Sequence, residues 1–231
     1  NNAILSVVGN VDLCSCQTLC EKWFSDIPQK SESNKNHYEN DAKPRLKHKE
    51  EEDLSPNPVV FLVWKWPAAK DDNATSLELF ADMLGGSEVS DLYETLVKQE
   101  NLCNVAECFY IKGIDEGLFV VYGILNEGVE KKTVENRLWE VCETALNKGE
   151  EYRFAFESAQ NKAYTQLLFE PINPTQRAHK LAFYELLDKP EEVNQEAARV
   201  RSCTLEETLK TAKKELVREN ASVLYYNPKE N

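Results

Sequence analysis

Apolar and polar positions recur along this chain with two periods, and the changes between them mark its elements. Ala3-Ile4-Leu5-Ser6-Val7-Val8 is an apolar, β-rich run ending at Gly9-Asn10, and it predicts a strand. Val11-Asp12 then opens a helix that carries Leu13, Cys16, Leu19, Cys20, Trp23 and Phe24 at helical spacing. Asp26-Ile27-Pro28 closes it, because proline cannot continue a helix and forces its predecessor out of the helical region. From Gln29 to Asn57 the chain is almost wholly polar, with only Tyr38, Ala42, Leu46 and Leu54 as nonpolar side chains of note. Such a composition buries too little surface to offset ordering entropy, so this stretch reads as an extended surface crossing. Lys43, Arg45, Lys47 and Lys49 are followed at once by Glu50-Glu51-Glu52-Asp53. The signs cancel, which favours a linker over a basic recognition tail.

Strand structure resumes at Pro58–Trp66, where both alternating sets, Val59, Phe61, Val63 and Val60, Leu62, Trp64, Trp66, are apolar; a central strand is expected. Asp71-Asp72-Asn73 supplies caps for a helix carrying Leu77, Phe80, Ala81 and Leu84, which Gly85-Gly86 ends. Ser90-Asp91 starts a second helix, Leu92 to Gln99, with Leu92, Leu96 and Val97 inward. Cys103–Lys112 and Leu118–Leu125 read as strands joined by Gly113–Gly117, a hairpin connection. From Glu130 the chain is mostly helical, with stripes at Val134, Leu138, Val141, Ala145 and at Phe156, Ala159, Ala163, Leu167. Asn173-Pro174 is a cap and first-turn pair, and Thr204 with Glu207 makes a capping box ahead of Leu205, Leu209, Ala212 and Leu216. Ser222–Tyr226 is the last strand. The order predicts an α+β fold, an antiparallel sheet backed by helices, with residues 1–231 as a single domain.

Composition narrows the function. The net charge of −13 is spread over helix surfaces, which argues against nucleic acid and against an anionic membrane. No apolar run approaches the roughly 18 residues of a membrane span, and no signal peptide is visible. The chain opens directly in a strand, which suggests a piece of a longer polypeptide. Cys14, Cys16 and Cys20 form C-x-C-x3-C, but on a helix they do not converge as a zinc knuckle does, and Cys16 and Cys20 read as core thiols. The odd total of seven cysteines, with Cys103, Cys108, Cys142 and Cys203 scattered, points to reduced thiols and the cytoplasm, the periplasm being the alternative. The histidines His37, His48 and His179 lie far apart, and His179 reads as a surface or packing residue. Trp64 and Trp66 read as core, with a chamber lining as the alternative, and Ser158 and Thr165 sit in no triad pattern.

Three segments carry a family resemblance: the opening "NNAILSVVGNVD…CEKWFSDIP", "SDLYETLVKQENL" after Gly85-Gly86, and the closing "NASVLYYNP". In that order and spacing the chain resembles the C-type domain of the pitrilysin/insulinase family of zinc metallopeptidases, of the bacterial type with two domains per half. The resemblance implies a mitochondrial-processing-peptidase-like fold. It also implies a parent enzyme whose two halves close around an inner chamber. In the family a first domain holds zinc through H-x-x-E-H and a distal Glu, where the metal lowers the pKa of bound water. No Glu-His pair at that spacing follows any histidine here. The other half of the family enzyme supplies an Arg and a Tyr, seven positions apart, which hold substrate and polarise the scissile carbonyl. The matching positions here are Val97 and Asn104. The resemblance therefore implies no catalytic and no metal-binding residue in this chain, and zinc only in the parent protein. It implies three partners: a zinc-bearing domain of the same polypeptide, a half or subunit with the Arg/Tyr pair, and peptide substrates. A scaffold or assembly domain of a family member without peptidase activity is the competing reading.

The purified chain is expected to hold no stoichiometric zinc and to cleave no peptide. Metal analysis after dialysis is the check, and about one tightly held zinc per chain would overturn it.

Overall fold

The computed structural model describes residues 3–28, 47–53 and 56–229. The chain divides into two compact units, one of residues 1–42 and 165–197, the other of residues 43–164 and 198–231.

The larger unit is built on a five-stranded sheet: β1 (Lys47–Asp53), β2 (Val59–Trp66), β3 (Cys103–Ile111), β4 (Gly117–Leu125) and β5 (Ser222–Pro228), in the order β1-β5-β2-β4-β3. β5, β2, β4 and β3 are antiparallel neighbours, with Val59–Trp66 central as its doubly apolar sequence predicts. β1 departs from the expected linker. It lies inside the polar crossing and pairs parallel to β5, Lys49 opposite Leu224 and Glu51 opposite Tyr226. An all-polar strand is tolerated there because it forms the edge, where charge discourages further pairing.

Helices α2 (Ala74–Gly85), α3 (Lys131–Asn147) and α7 (Leu205–Glu215) back one face of this sheet, together with the start of α4 (Arg153–Phe169). Inward-facing Val60, Leu62, Trp64 and Trp66 of β2 and Phe119 and Val121 of β4 meet Leu77, Phe80, Leu84, Leu138 and Leu209 in one core. The Trp66 and Phe119 rings stack at 3.9 Å, and Trp139 of α3 meets Trp64 edge-on at 5.3 Å. Gly85 does more than end α2. A Cβ there would stand 2.5 Å from the backbone nitrogen of Cys108, so only glycine lets the helix end reach β3. Thr204 caps α7, its hydroxyl accepting from the Glu207 N–H at 3.3 Å and donating to the Glu207 carboxylate at 3.0 Å.

The smaller unit holds α1 (Leu13–Phe24) and α5 (Pro174–Leu186). Asp12 accepts from the Ser15 N–H at 2.9 Å and starts α1; the bonds from Ser15 hold its carboxyl below the usual range. Asn173 accepts from the Thr175 and Gln176 N–H groups ahead of Pro174, as its sequence predicts. Two expectations fail here. Residues 3–8 form no strand, because a strand exists only where a partner completes its ladder, and among the described residues none pairs with them. No residue of α1 is buried, with Leu13 74% and Trp23 67% exposed, so Cys16 and Cys20 are half-buried rather than core thiols.

Glu135 of α3 is the carboxylate most deeply placed in the larger unit. It is 3% exposed and accepts hydrogen bonds from Lys132 Nζ (2.8 Å), Trp139 Nε1 (3.2 Å) and the Tyr225 hydroxyl. Burial pushes its carboxyl up, but the bonds from Lys132, Tyr225 and Trp139 outweigh that and hold it at about 2. With an ordinary value of 4.5 in the unfolded chain, its contribution is complete above about pH 4.5 and is lost as pH falls towards 2. Glu135→Gln is expected to cost on the order of 1–3 kcal/mol at pH 7. Urea melts at pH 7 and pH 3 should show that gap shrinking in acid; a constant gap would refute the linkage.

Candidate functional site

Two regions of the larger unit bear on function: the turn entering β3, where the resemblance places Val97 and Asn104, and the sheet face turned away from the helices.

The segment after α2 is a π-helix, Tyr93–Gln99, rather than the expected α-helix. Leu92, which precedes it, and Leu96 within it are fully buried, and Val97 is half-buried against the core. The chain reverses at Asn101, whose φ of 49° lies in the left-handed region. Asn126 Nδ2 braces that turn by donating to the Asn101 carbonyl at 2.9 Å and to its side-chain oxygen at 3.1 Å. Arg137 of α3 grips Glu100 beside it through Nε at 2.9 Å and through Nη2. Asp91, ahead of the π-helix, takes Lys148 and the Tyr152 hydroxyl; burial first and Asp91 second push that phenol well up. Asn104 is exposed on β3 at a register irregularity between Cys103 and Val105. Val97 thus serves packing, and Asn104 brings only a neutral amide to the surface.

Among the described residues no three His, Cys, Asp or Glu side chains converge, and His179 is exposed on α5. His37 and the side chain of His48 lie outside the described residues. Burial pushes the Cys103 and Cys142 thiols up to about 12, away from the thiolate a metal needs. Trp64 and Trp66 are buried in the core and line no surface.

The outer face of the sheet is apolar across four strands. Register places Tyr226, Val59 and Ile124 in one row across β5, β2 and β4, and Leu224, Phe61, Tyr122 and Glu107 in the next across β5, β2, β4 and β3. Val63, Val120 and Phe109 follow. None of these apolar side chains belongs to the core that the helices cover. Phe109, Ile111 and Leu118 are exposed, and Phe61, Tyr122 and Leu224 half-buried. At its centre Tyr122 stacks beside Phe61 at 5.8 Å, meets Phe109 at 6.0 Å, and donates to Glu107 Oε2 at 2.7 Å. Burial, then Glu107, pushes the Tyr122 phenol up to about 12, so it is a neutral donor. The second apolar set of β2 lies on the face that α2, α3 and α7 leave uncovered, as a central strand with one side on helices requires.

The family model described as "peptidase M16 inactive domain" matches residues 1–160. The chain belongs to the peptidase M16 inactive-domain family. The larger structural record agrees in fold. A protease from Helicobacter pylori superposes with TM-score 0.87 at 16% identity, over 96% of this chain and 54% of that one. A peptidase M16 inactive domain from Pseudomonas fluorescens gives 0.82 at 13% identity, over 96% and 52%. The periplasmic protease PqqL of Escherichia coli gives 0.72 at 14%, over 94% and 26%. This M16 domain therefore spans about half the length of the first two structures. No curated protein matches it in sequence. Among the described residues no helix is long and apolar enough to cross a membrane.

Val97→Ala is expected to cost on the order of 1–2 kcal/mol of stability, as trimming a half-buried valine does. Asn104→Ala should stay within about 0.5 kcal/mol. Denaturant melts of the two variants check both; the reverse order would mean that Asn104, not Val97, holds the turn.

Proposed function

We infer that this M16 domain, residues 1–231 acting as one C-type unit, is the non-catalytic companion of a zinc-bearing domain in a metalloendopeptidase. Its outer sheet face forms part of the wall of the chamber that holds peptide. The carrying observation is the one-sided helix cover: a sheet whose second face presents Phe61, Val63, Phe109, Leu118, Tyr122 and Leu224 has an apolar surface fit for an extended chain. The chemistry is left to partners. With valine and asparagine where the family's second half has its arginine and tyrosine, this domain supports neither water activation nor carbonyl polarisation. Zinc belongs to the adjoining domain of the parent, and the Arg/Tyr pair to a second half or subunit. The compartment that suits seven free thiols is a reducing one.

Full-length protein carrying a benzophenone photocrosslinker at position 122 should label bound peptide. The same probe at Phe154, 85% exposed on α4, should not. Asn104→Ala should leave kcat within about twofold, whereas loss of a transition-state donor costs ~10²–10³. Labelling at 154 but not 122, or a hundredfold fall in kcat, would overturn the assignment.

A further inference from the structure

We propose that the outer sheet face selects extended peptides in which a lysine or arginine stands among apolar side chains, the cation being received by Glu107 beside the rings of Tyr122 and Phe109. The inference rests on the reading of that face as a peptide-binding wall and names the side chain it takes.

Three observations carry it. First, Glu107 is an exposed carboxylate set in an apolar field, opposite Tyr122 in register and next along the outer face of β3 to Phe109. Its Oε2 accepts the Tyr122 hydroxyl at 2.7 Å, which holds the acid against the rings rather than letting it swing into water. A neutral hydrogen bond leaves its charge uncompensated, and among the described residues no lysine or arginine forms an ion pair with it. Second, among the described side chains the other charges on this face are matched: Lys65 pairs at 2.9 Å with Glu116, just ahead of β4, and Lys49 pairs with Glu51 on β1. Third, the aromatic side chains are placed for a cation. Phe109 meets Tyr122 at 65° and 6.0 Å, and Phe61 lies beside Tyr122 at 24° and 5.8 Å, so ring faces and a carboxylate converge within the reach of one long side chain. The aliphatic stem of lysine or arginine suits the surrounding Val120 and Leu118, while its head takes the charge. The chain's overall charge of −13 acts in the same direction, drawing basic peptides and repelling acidic ones.

The test uses the 231-residue chain and fluorescein-labelled nonapeptides of valine and serine with Lys, Arg, Gln or Glu at the centre, read by fluorescence anisotropy. Lys and Arg peptides should bind about fivefold to tenfold more tightly than the Gln peptide, the scale of a half-exposed cation–ring and ion-pair contact. The Glu peptide should bind more weakly still. Glu107→Gln should bring the Lys/Gln ratio below about 2, while Tyr122→Phe, which keeps the ring and the charge but releases the carboxylate, should lower it only part-way. Raising salt to 1 M should compress the ratio, because an exposed pair is screened. Thermal melts of both variants confirm folding. Equal binding of Lys and Gln peptides to the unaltered chain, or a ratio that survives Glu107→Gln, would overturn the proposal and leave the wall in place. Absence of binding by any of the four peptides would overturn the wall with it.

Discussion

The packing of Trp66 on Phe119, with Trp64 beside them, is the contact around which the larger unit is arranged. These rings stand on the inner face of two adjacent central strands, and they are too large to be covered by the sheet itself. α2 and α3 close over them through Phe80 and Trp139, and α7 completes the layer with Leu205, Leu209 and Ala212. Close approach then sets the small residues. Gly85 lets α2 reach Cys108, and Gly123 lies where a Cβ would stand 3.2 Å from Val134 of α3. Because α2, α3 and α7 are drawn to this one face, the other is left apolar and half-open. The candidate site is thus a consequence of where the aromatic core lies.

Polar groups inside this packing are tied rather than scattered. Glu135 fastens α3 to β5 through Tyr225, and Lys131 beside it reaches Asn227 at 2.8 Å and lies over the Tyr225 ring at 5.2 Å. Trp64 Nε1 donates to the Val217 carbonyl at 3.0 Å, so even the largest core residue anchors the entry to β5. Trp66 Nε1 and the Thr208 hydroxyl are buried without a partner among the described residues, a cost the stacked core absorbs.

The turn between the π-helix and β3 is held by its own contacts. Asn126 and Arg137 brace it, and Asn101 adopts a left-handed conformation. At the two positions of interest, however, a half-buried valine packs and an exposed asparagine faces outward.

Periodicity alone determined much of the larger unit. The alternation in Val59–Trp66, the glycine-bearing hairpin loop and the stripes of α3 and α7 each led to the element found, because local period and buried face agree there. Family membership was legible in short motifs. What the sequence could not decide was pairing. Residues 3–8 carry a strand pattern and make no strand, while Lys47–Asp53 carry none and form one, since a ladder partner and not propensity decides a strand. The π-helix at Tyr93–Gln99 was equally hidden, as the same apolar spacing fits an ordinary α-helix. The grouping of Phe61, Tyr122, Phe109 and Glu107 belongs to the tertiary structure as well. Residues up to 61 positions apart became neighbours only when register fixed which side of each strand faced away from the helices.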